Sequence, residues 1–164
     1  MPVSVYYLEM QSRGQLRASP PAPGLMVMEA AVKQFALNRF LYSLVGGDWH
    51  WTDRLSWSEQ QWRDYAEAAN LRTWVAYFEG SPAGYFELQQ QPGNEVEICN
   101  FGLAPPFIGK GLGGALLTQA LEQAWDWGAT RRVLVNTCTL DHPSALANYQ
   151  ARGMQLCRTE IEED

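Results

Sequence analysis

Glycines at positions 109, 111, 113 and 114 are the feature of this sequence best suited to chemistry. They lie in the run Leu103-Ala104-Pro105-Pro106-Phe107-Ile108-Gly109-Lys110-Gly111-Leu112-Gly113-Gly114-Ala115-Leu116-Leu117. A strand-like stretch precedes the run and a helical one follows. Glycines let backbone N–H groups approach a ligand closely, and a helix N-terminus adds about half a positive charge. Together they hold a phosphate or pyrophosphate without Lys or Arg. A Walker loop needs Lys-Ser or Lys-Thr where Gly114-Ala115 stands. A dinucleotide fingerprint needs a parallel strand-opened unit with an acidic residue about 20 positions on, whereas the strands before this loop read as antiparallel. A tight strand-to-helix turn that binds nothing is the remaining alternative, and four glycines in six positions argue against it.

A second segment, His142-Pro143-Ser144-Ala145-Leu146-Ala147-Asn148-Tyr149-Gln150-Ala151-Arg152-Gly153-Met154, follows about 30 residues later. The first run resembles the acyl-CoA-binding motif of the GNAT superfamily of N-acyltransferases. The second resembles that family's other motif, an Ala, a Tyr four residues on and a Gly four beyond. The order, spacing and strand-loop-helix placement of the two carry the resemblance over roughly residues 74 to 157.

The resemblance implies acetyl-CoA as cosubstrate and direct transfer of its acetyl group to a primary amine, on a small molecule or a peptide. Gly109, Lys110, Gly111, Leu112, Gly113 and Gly114 would offer N–H groups to the pyrophosphate. Phe101, Gly102 and Leu103 would pair with the pantetheine arm where two strands splay apart, and His142 and Asn148 belong to the same cofactor set. Tyr149 stands where the family places the acid that protonates the leaving thiolate, a role suited to a phenol with an intrinsic pKa of about 10. Glu97 stands where some members place a general base, and Glu87 on the neighbouring strand is the runner-up; either is otherwise a solvent-facing partner in the alternating pattern. The family usually has Gln or Arg at the place of Ile108 and Asn at that of His142. The histidine either hydrogen-bonds the cofactor or caps its helix. The reading from another class is a non-catalytic acyl-CoA-binding or regulatory protein of the same fold; Tyr149 argues against it.

The segment Asp48-Trp49-His50-Trp51-Thr52-Asp53-Arg54-Leu55-Ser56-Trp57 holds three tryptophans with acidic and basic residues. In this family that region commonly walls the acceptor site, and indole faces with carboxylates suit a cationic or aromatic amine. Trp49 and Trp51 are the candidates for lining the pocket, with Trp57 and Trp62 filling core. The cysteines show no metal spacing and the two histidines are far apart, so no metal site is expected.

These residues need elements to position them. The spacing predicts an opening strand over about Val3 to Glu9, a Pro-rich loop at 18–24, a helix from Glu29 to Leu44, and a second from Ser58, which with Gln61 forms a capping box. Trp74–Phe78, Ala83–Leu88 and Glu95–Phe101 read as an antiparallel meander with a Pro92-Gly93 turn. A helix from Leu112 to Trp127 follows, then a strand at 132–137, a helix from Pro143 to Arg152 and a last strand from Met154 to Thr159. The result is one domain over residues 1–164, an α/β (α+β) fold with a mixed, mostly antiparallel sheet. The resemblance adds the splay of its fourth and fifth strands. It also implies an uncovered C-terminal sheet edge, to be masked by a homodimer partner or by the chain's own N-terminal segment.

Composition sets the class. Apolar residues make up 46% of 164 and charged ones 18%, a globular balance. No apolar run reaches the roughly 18 residues that cross a bilayer, and the N-terminus lacks a signal pattern. Three cysteines build no disulfide framework, so the expectation is a cytoplasmic enzyme off the membrane. The net charge of −6 speaks against a nucleic-acid partner, although Glu160, Glu162, Glu163 and Asp164 carry four of those charges and leave −2 on the rest.

Overall fold

Among residues 2–162, which the computed structural model describes, seven strands form one sheet with four helices packed on it. Glu163 and Asp164 of the acidic tail lie outside the described residues. The strands are β1 (Val3–Met10), β2 (Leu25–Glu29), β3 (Leu71–Phe78), β4 (Ser81–Gln91), β5 (Glu95–Leu103), β6 (Arg132–Cys138) and β7 (Gln155–Glu162). The helices are α1 (Phe35–Gly46), α2 (Glu59–Ala66), α3 (Gly113–Asp126) and α4 (Ala145–Ala151). The sheet runs β2-β3-β4-β5-β6-β1-β7, and of its pairs only β5–β6 is parallel.

The meander forms through its turn residues. Phe78 and Ser81 pair across Glu79 and Gly80, which both take positive φ, 51° and 83°. Gln91 pairs with Glu95 across Pro92-Gly93-Asn94, with φ of 82° and 61° at the last two. Strand alternation then sorts the side chains. Trp74, Ala76, Phe86, Leu88, Val96 and Ile98 face α3, whose Leu116, Leu117, Ala120, Leu121 and Ala124 are buried against them. Val75 and Tyr85 face the other way, onto Leu41 and Val45 of α1. Ser58 and Gln61 close the expected capping box on α2.

Three expectations need correction. Leu25–Glu29 is a strand, added to the outer side of β3, rather than loop leading into a helix. Its five residues alternate half-buried Leu25 and Val27 with exposed Met26 and Met28, a pattern too short to be told from a helical one. The first helix consequently starts at Phe35, behind an extended Gln34. The fourth helix starts at Ala145, leaving Pro143 in the preceding turn instead of the first helical turn.

Two features shape the region where the glycine loop lies. β5 and β6 pair only at Glu95–Arg132, Val96–Val133 and Glu97–Leu134, after which they part. Just past that point β5 carries a one-residue bulge at Cys99, since Glu87 pairs with Asn100 while Leu88 pairs with Ile98. On the far side of β6, β1 is inserted between β6 and β7 and pairs with both. The chain's own N-terminal strand therefore lies on the inner side of β7 and does not mask the C-terminal edge: β7 is the outer strand of the sheet, exposed along its whole length.

Gly153 locks this N-terminal segment in place. Its φ is 104°, and a Cβ there would lie 2.0 Å from the carbonyl oxygen of Gln15. Gly153→Ala is expected to destabilise the fold by about 2–3 kcal/mol, read by denaturant titration.

Candidate active site

The parted ends of β5 and β6 are flanked by two clefts. The first, about 470 Å³, is lined by Phe101, Gly102 and Leu103 of β5, by Gly109, Gly111, Leu112, Gly113 and Gly114, and by His142, Asn148 and Tyr149. Exposed Lys110 is the one residue of the expected cofactor set outside this lining. Past Glu97 the backbone of β5 has no partner on its β6 side, which leaves main-chain donors and acceptors open to a ligand. Gly109 and Gly111 hold φ of 84° and 77°, and a Cβ on either would meet nothing within 4 Å. Helix α3 starts at Gly113 with no side-chain cap, so its first N–H groups are free. A cradle of this form, open and rich in amide donors, fits a pyrophosphate.

The second cleft, about 450 Å³, lies between β1, β6 and the α1–α2 connection. Its wall is largely polar, with Tyr7, His50, Asp53, Asn100, Asn136 and Thr137 among its residues. The two clefts share five residues: Trp49, Trp51, Phe101, Asp141 and Tyr149. Tyr149 is only 4% exposed and packs its ring 6.0 Å from that of Phe101. Burial, reinforced by the charge of Asp141, pushes its phenol well above the ordinary tyrosine value, so it keeps its proton. Trp49 stacks edge-on against His142 at 4.9 Å and closes the junction from the α1–α2 side. His142 Nδ1 accepts from the backbone N–H of Ser144 at 2.9 Å, just ahead of α4, and the helix itself has no side-chain cap. Asn148 donates to the Gly113 carbonyl at 3.2 Å and ties α4 to the start of α3.

The two acidic candidates lie on β4 and β5 beside the divergence, as the sequence suggested, but their side chains line neither cleft. Glu87 lines neither cleft and is 0% exposed. Its carboxylate accepts from Asn38 at 2.7 Å, Tyr65 at 2.7 Å, Asn100 at 3.1 Å and Arg54 at 3.2 Å. Fully buried behind these donors, it has no face open to substrate. Arg54 is the residue that sequence reasoning missed. Its guanidinium lies 4.1 Å from the ring centre of Tyr65 and 5.0 Å from that of Trp57, with Tyr42 and Trp62 at 5.5 and 5.8 Å. Of the residues offered for a substrate cation, Glu87 is thus already paired with a cation belonging to the chain, and the indoles around that cation are Trp57 and Trp62 rather than Trp49 and Trp51. Its signal was present in the sequence, as the one Arg in the tryptophan-rich segment.

Glu97 lines neither cleft and makes a single long contact, from Gln91 Nε2 at 3.4 Å. Burial pushes its carboxyl up, with Arg54 offsetting part of the effect. Cys99, which does line the second cleft, has its thiol pushed up to about 12 by burial and therefore supplies no thiolate nucleophile. Among the described residues, no three His, Cys, Asp or Glu side chains converge as a metal site, and no helix is long and apolar enough to cross a membrane.

Comparison with known proteins decides the family. Residues 36–154 match the model of the acetyltransferase (GNAT) family. The chain belongs to the GNAT acetyltransferase family, whose members transfer acyl groups from acyl-CoA. Its fold is that of a GCN5-related N-acetyltransferase from Kribbella flavida (TM-score 0.70, 17% identity, 96% of this chain and 56% of that one). A second, from Sphaerobacter thermophilus, gives a TM-score of 0.72 at 15% identity over 97% of this chain and 50% of its own. This GNAT chain thus spans about half the length of those two proteins. An aminoglycoside acetyltransferase from an uncultured soil metagenomic sample, in complex with trehalose, aligns with a TM-score of 0.63 at 17% identity over 79% of this chain and 87% of that one. No curated protein matches the sequence.

Two outcomes follow from the placement of the acids. Glu87→Gln leaves Arg54, only 15% exposed, without its counter-charge and is expected to cost about 3 kcal/mol, measured by urea unfolding. Glu97 is raised in the folded chain, so its ionised form is disfavoured there and the folded state gains stability as pH falls through that pKa. Glu97→Gln is therefore expected to melt higher than wild type at about pH 7 and to lose that advantage towards about pH 4.

Proposed function

We propose that this GNAT domain moves an acetyl group from acetyl-CoA to a primary amine by direct attack, the cofactor occupying the glycine-lined cleft and the amine the polar one. The observation that carries this reading is the shared junction. Tyr149 borders both clefts with a phenol held protonated, the condition for a group that must give a proton to a departing thiolate. A regulatory protein that only held acyl-CoA would have no use for such a phenol between two clefts, which favours catalysis over that alternative.

The steps assigned to the chain are few. Amides of the Gly109–Gly114 loop and the α3 N-terminus hold the pyrophosphate, and the unpaired rim of β5 aligns the arm that leads to the thioester. The amine enters from the second cleft, where its nitrogen pair attacks the carbonyl carbon. A carbon–nitrogen bond forms and the carbon–sulfur bond breaks, with Tyr149 supplying the sulfur's proton. Cys99 keeps its proton, which supports direct attack over a covalent relay. The hydrophilic wall of the second cleft supports a small polar amine as acceptor, in keeping with the aminoglycoside acetyltransferase among the structural neighbours. The three free cysteines, one of them exposed, fit a reducing cytoplasmic setting.

Acetyl-CoA is expected to raise the melting temperature of the wild-type chain by mass action, and Gly111→Asp, which sets a negative charge in the cradle, to abolish the rise. No rise at millimolar acetyl-CoA excludes the reading. Tyr149→Phe keeps the ring and loses the proton. It is expected to lower kcat by about 10²-fold on any amine acetylated, with the affinity for acetyl-CoA unchanged.

A further inference from the structure

Attack on a thioester requires a neutral amine, so a group beside the reacting nitrogen has to take a proton from the ammonium form. Neither carboxylate indicated by the sequence is available at the junction. Glu87 is fully buried among its own partners, and neither it nor Glu97 lines a cleft. One carboxylate borders both. Asp141, in the loop between β6 and α4, is common to the two clefts together with Trp49, Trp51, Phe101 and Tyr149. Three of those neighbours are apolar rings and the fourth is the phenol, which makes Asp141 the single carboxyl group of the junction.

Its side chain is held from two directions. Oδ2 accepts from Thr137 Oγ1 at 2.8 Å, and Oδ1 accepts from the backbone N–H of His142 at 2.9 Å. Thr137 is itself buried at the end of β6. Each carboxylate oxygen retains a second lone pair, so both can receive an ammonium N–H without giving up these bonds. The charge of Asp141 also acts on Tyr149, reinforcing the effect of burial that keeps the phenol protonated. A proton acceptor and a proton donor thus stand together at the one place the two clefts meet.

We propose that Asp141 is a catalytic residue of this domain: its carboxylate binds the acceptor's ammonium at the junction and removes the proton that blocks the nitrogen lone pair. This rests on reading the two clefts as cofactor and acceptor sites. The step balances. One proton passes from the ammonium to Asp141, and the freed pair forms the carbon–nitrogen bond. Tyr149 protonates the sulfur as the carbon–sulfur bond breaks and recovers a proton from the nitrogen. The only proton left over is on Asp141, which returns it to solvent through the open second cleft.

The test uses the full chain with acetyl-CoA and three amine probes: ethanolamine, putrescine and glucosamine. Thiol release and product mass follow turnover, and the acetyl-CoA melting shift reports separately on the cofactor cleft. Asp141→Asn is expected to retain the shift and to lose about 10²-fold in kcat. Thr137→Val removes a hydrogen bond from Asp141 but keeps the carboxylate, and is expected to lose only a few-fold. An Asn variant turning over at the wild-type rate overturns the proposal, as does a wild-type chain that binds acetyl-CoA and acetylates none of the probes. Equal losses in the Asn and Val variants also overturn it, since they mark a purely structural role. Where Asn disturbs the loop, Asp141→Ala supplemented with formate supplies the second measurement: restored turnover supports the proposal and no restoration refutes it. A wild-type chain showing no melting shift is a failure of the two-cleft reading itself, distinct from these.

Discussion

The separation of β5 from β6 after three residue pairs is the constraint on which the rest of the site depends. Two parallel strands that stay together leave no open backbone between them. Here the bulge at Cys99 turns β5 away just as pairing ends, and aromatic side chains fill part of the gap. Trp51 is wedged there between Gly46 and β5. A Cβ on Gly46 would come within 2.2 Å of its indole, and one on Gly102 within 2.6 Å of Val45. The two glycines are spatial requirements of the wedge, and the wedge holds α1 against the parted strand. Both clefts, and the five residues they share, follow from that one divergence.

Charge is arranged around the same gap in two layers. Deep in the sheet, Glu87 and Arg54 neutralise each other inside a ring of tyrosines and tryptophans, and Asn100 is drawn into the cluster from β5. A buried pair of this sort adds little net stability, but it fixes the geometry of what it touches. Arg54 and Asn100 both present atoms to the second cleft, so its polar wall is set from beneath. Nearer the surface, Asp141 is oriented by Thr137 and by its own loop backbone. The inner layer holds a permanent cation belonging to the chain, and the outer layer leaves a carboxylate facing open space.

The sequence made the cofactor side of this domain readable because that side is written in local features. Alternate glycines, a strand before and an amphipathic helix after them are contiguous, and the structure brings all of that set except Lys110 to one cleft. Tyr149 was legible for the same reason, lying in a motif of fixed spacing. The acid side was not. Whether Glu87, Glu97 or Asp141 meets the junction depends on strand register, a bulge and a loop conformation, none of which a single sequence displays. The role of the tryptophan-rich segment was half legible: Trp49 and Trp51 reach the clefts, while the cation that fills the cage of Trp57 and Tyr65 comes from the segment itself. The short strand at Leu25–Glu29 was lost because five residues are too few to reveal a period.

The placement of β1 between β6 and β7 has a bearing on how the chain comes to be folded. Val3 pairs with Glu162 and Tyr7 with Arg158, so β1 finds one of its neighbours only when β7, at the far end of the domain, has been made. Until then β1 keeps one edge unpaired even where β6 has joined it, and it carries apolar side chains at Val5, Leu8 and Met10. Contacts of such sequence separation form slowly, because the entropy of closing the whole chain is lost before any pairing repays it. The meander and α3 can collapse early, and the second cleft, walled by β1, is the last part of the site to exist. For this domain, closing the second cleft and finishing the sheet are one event.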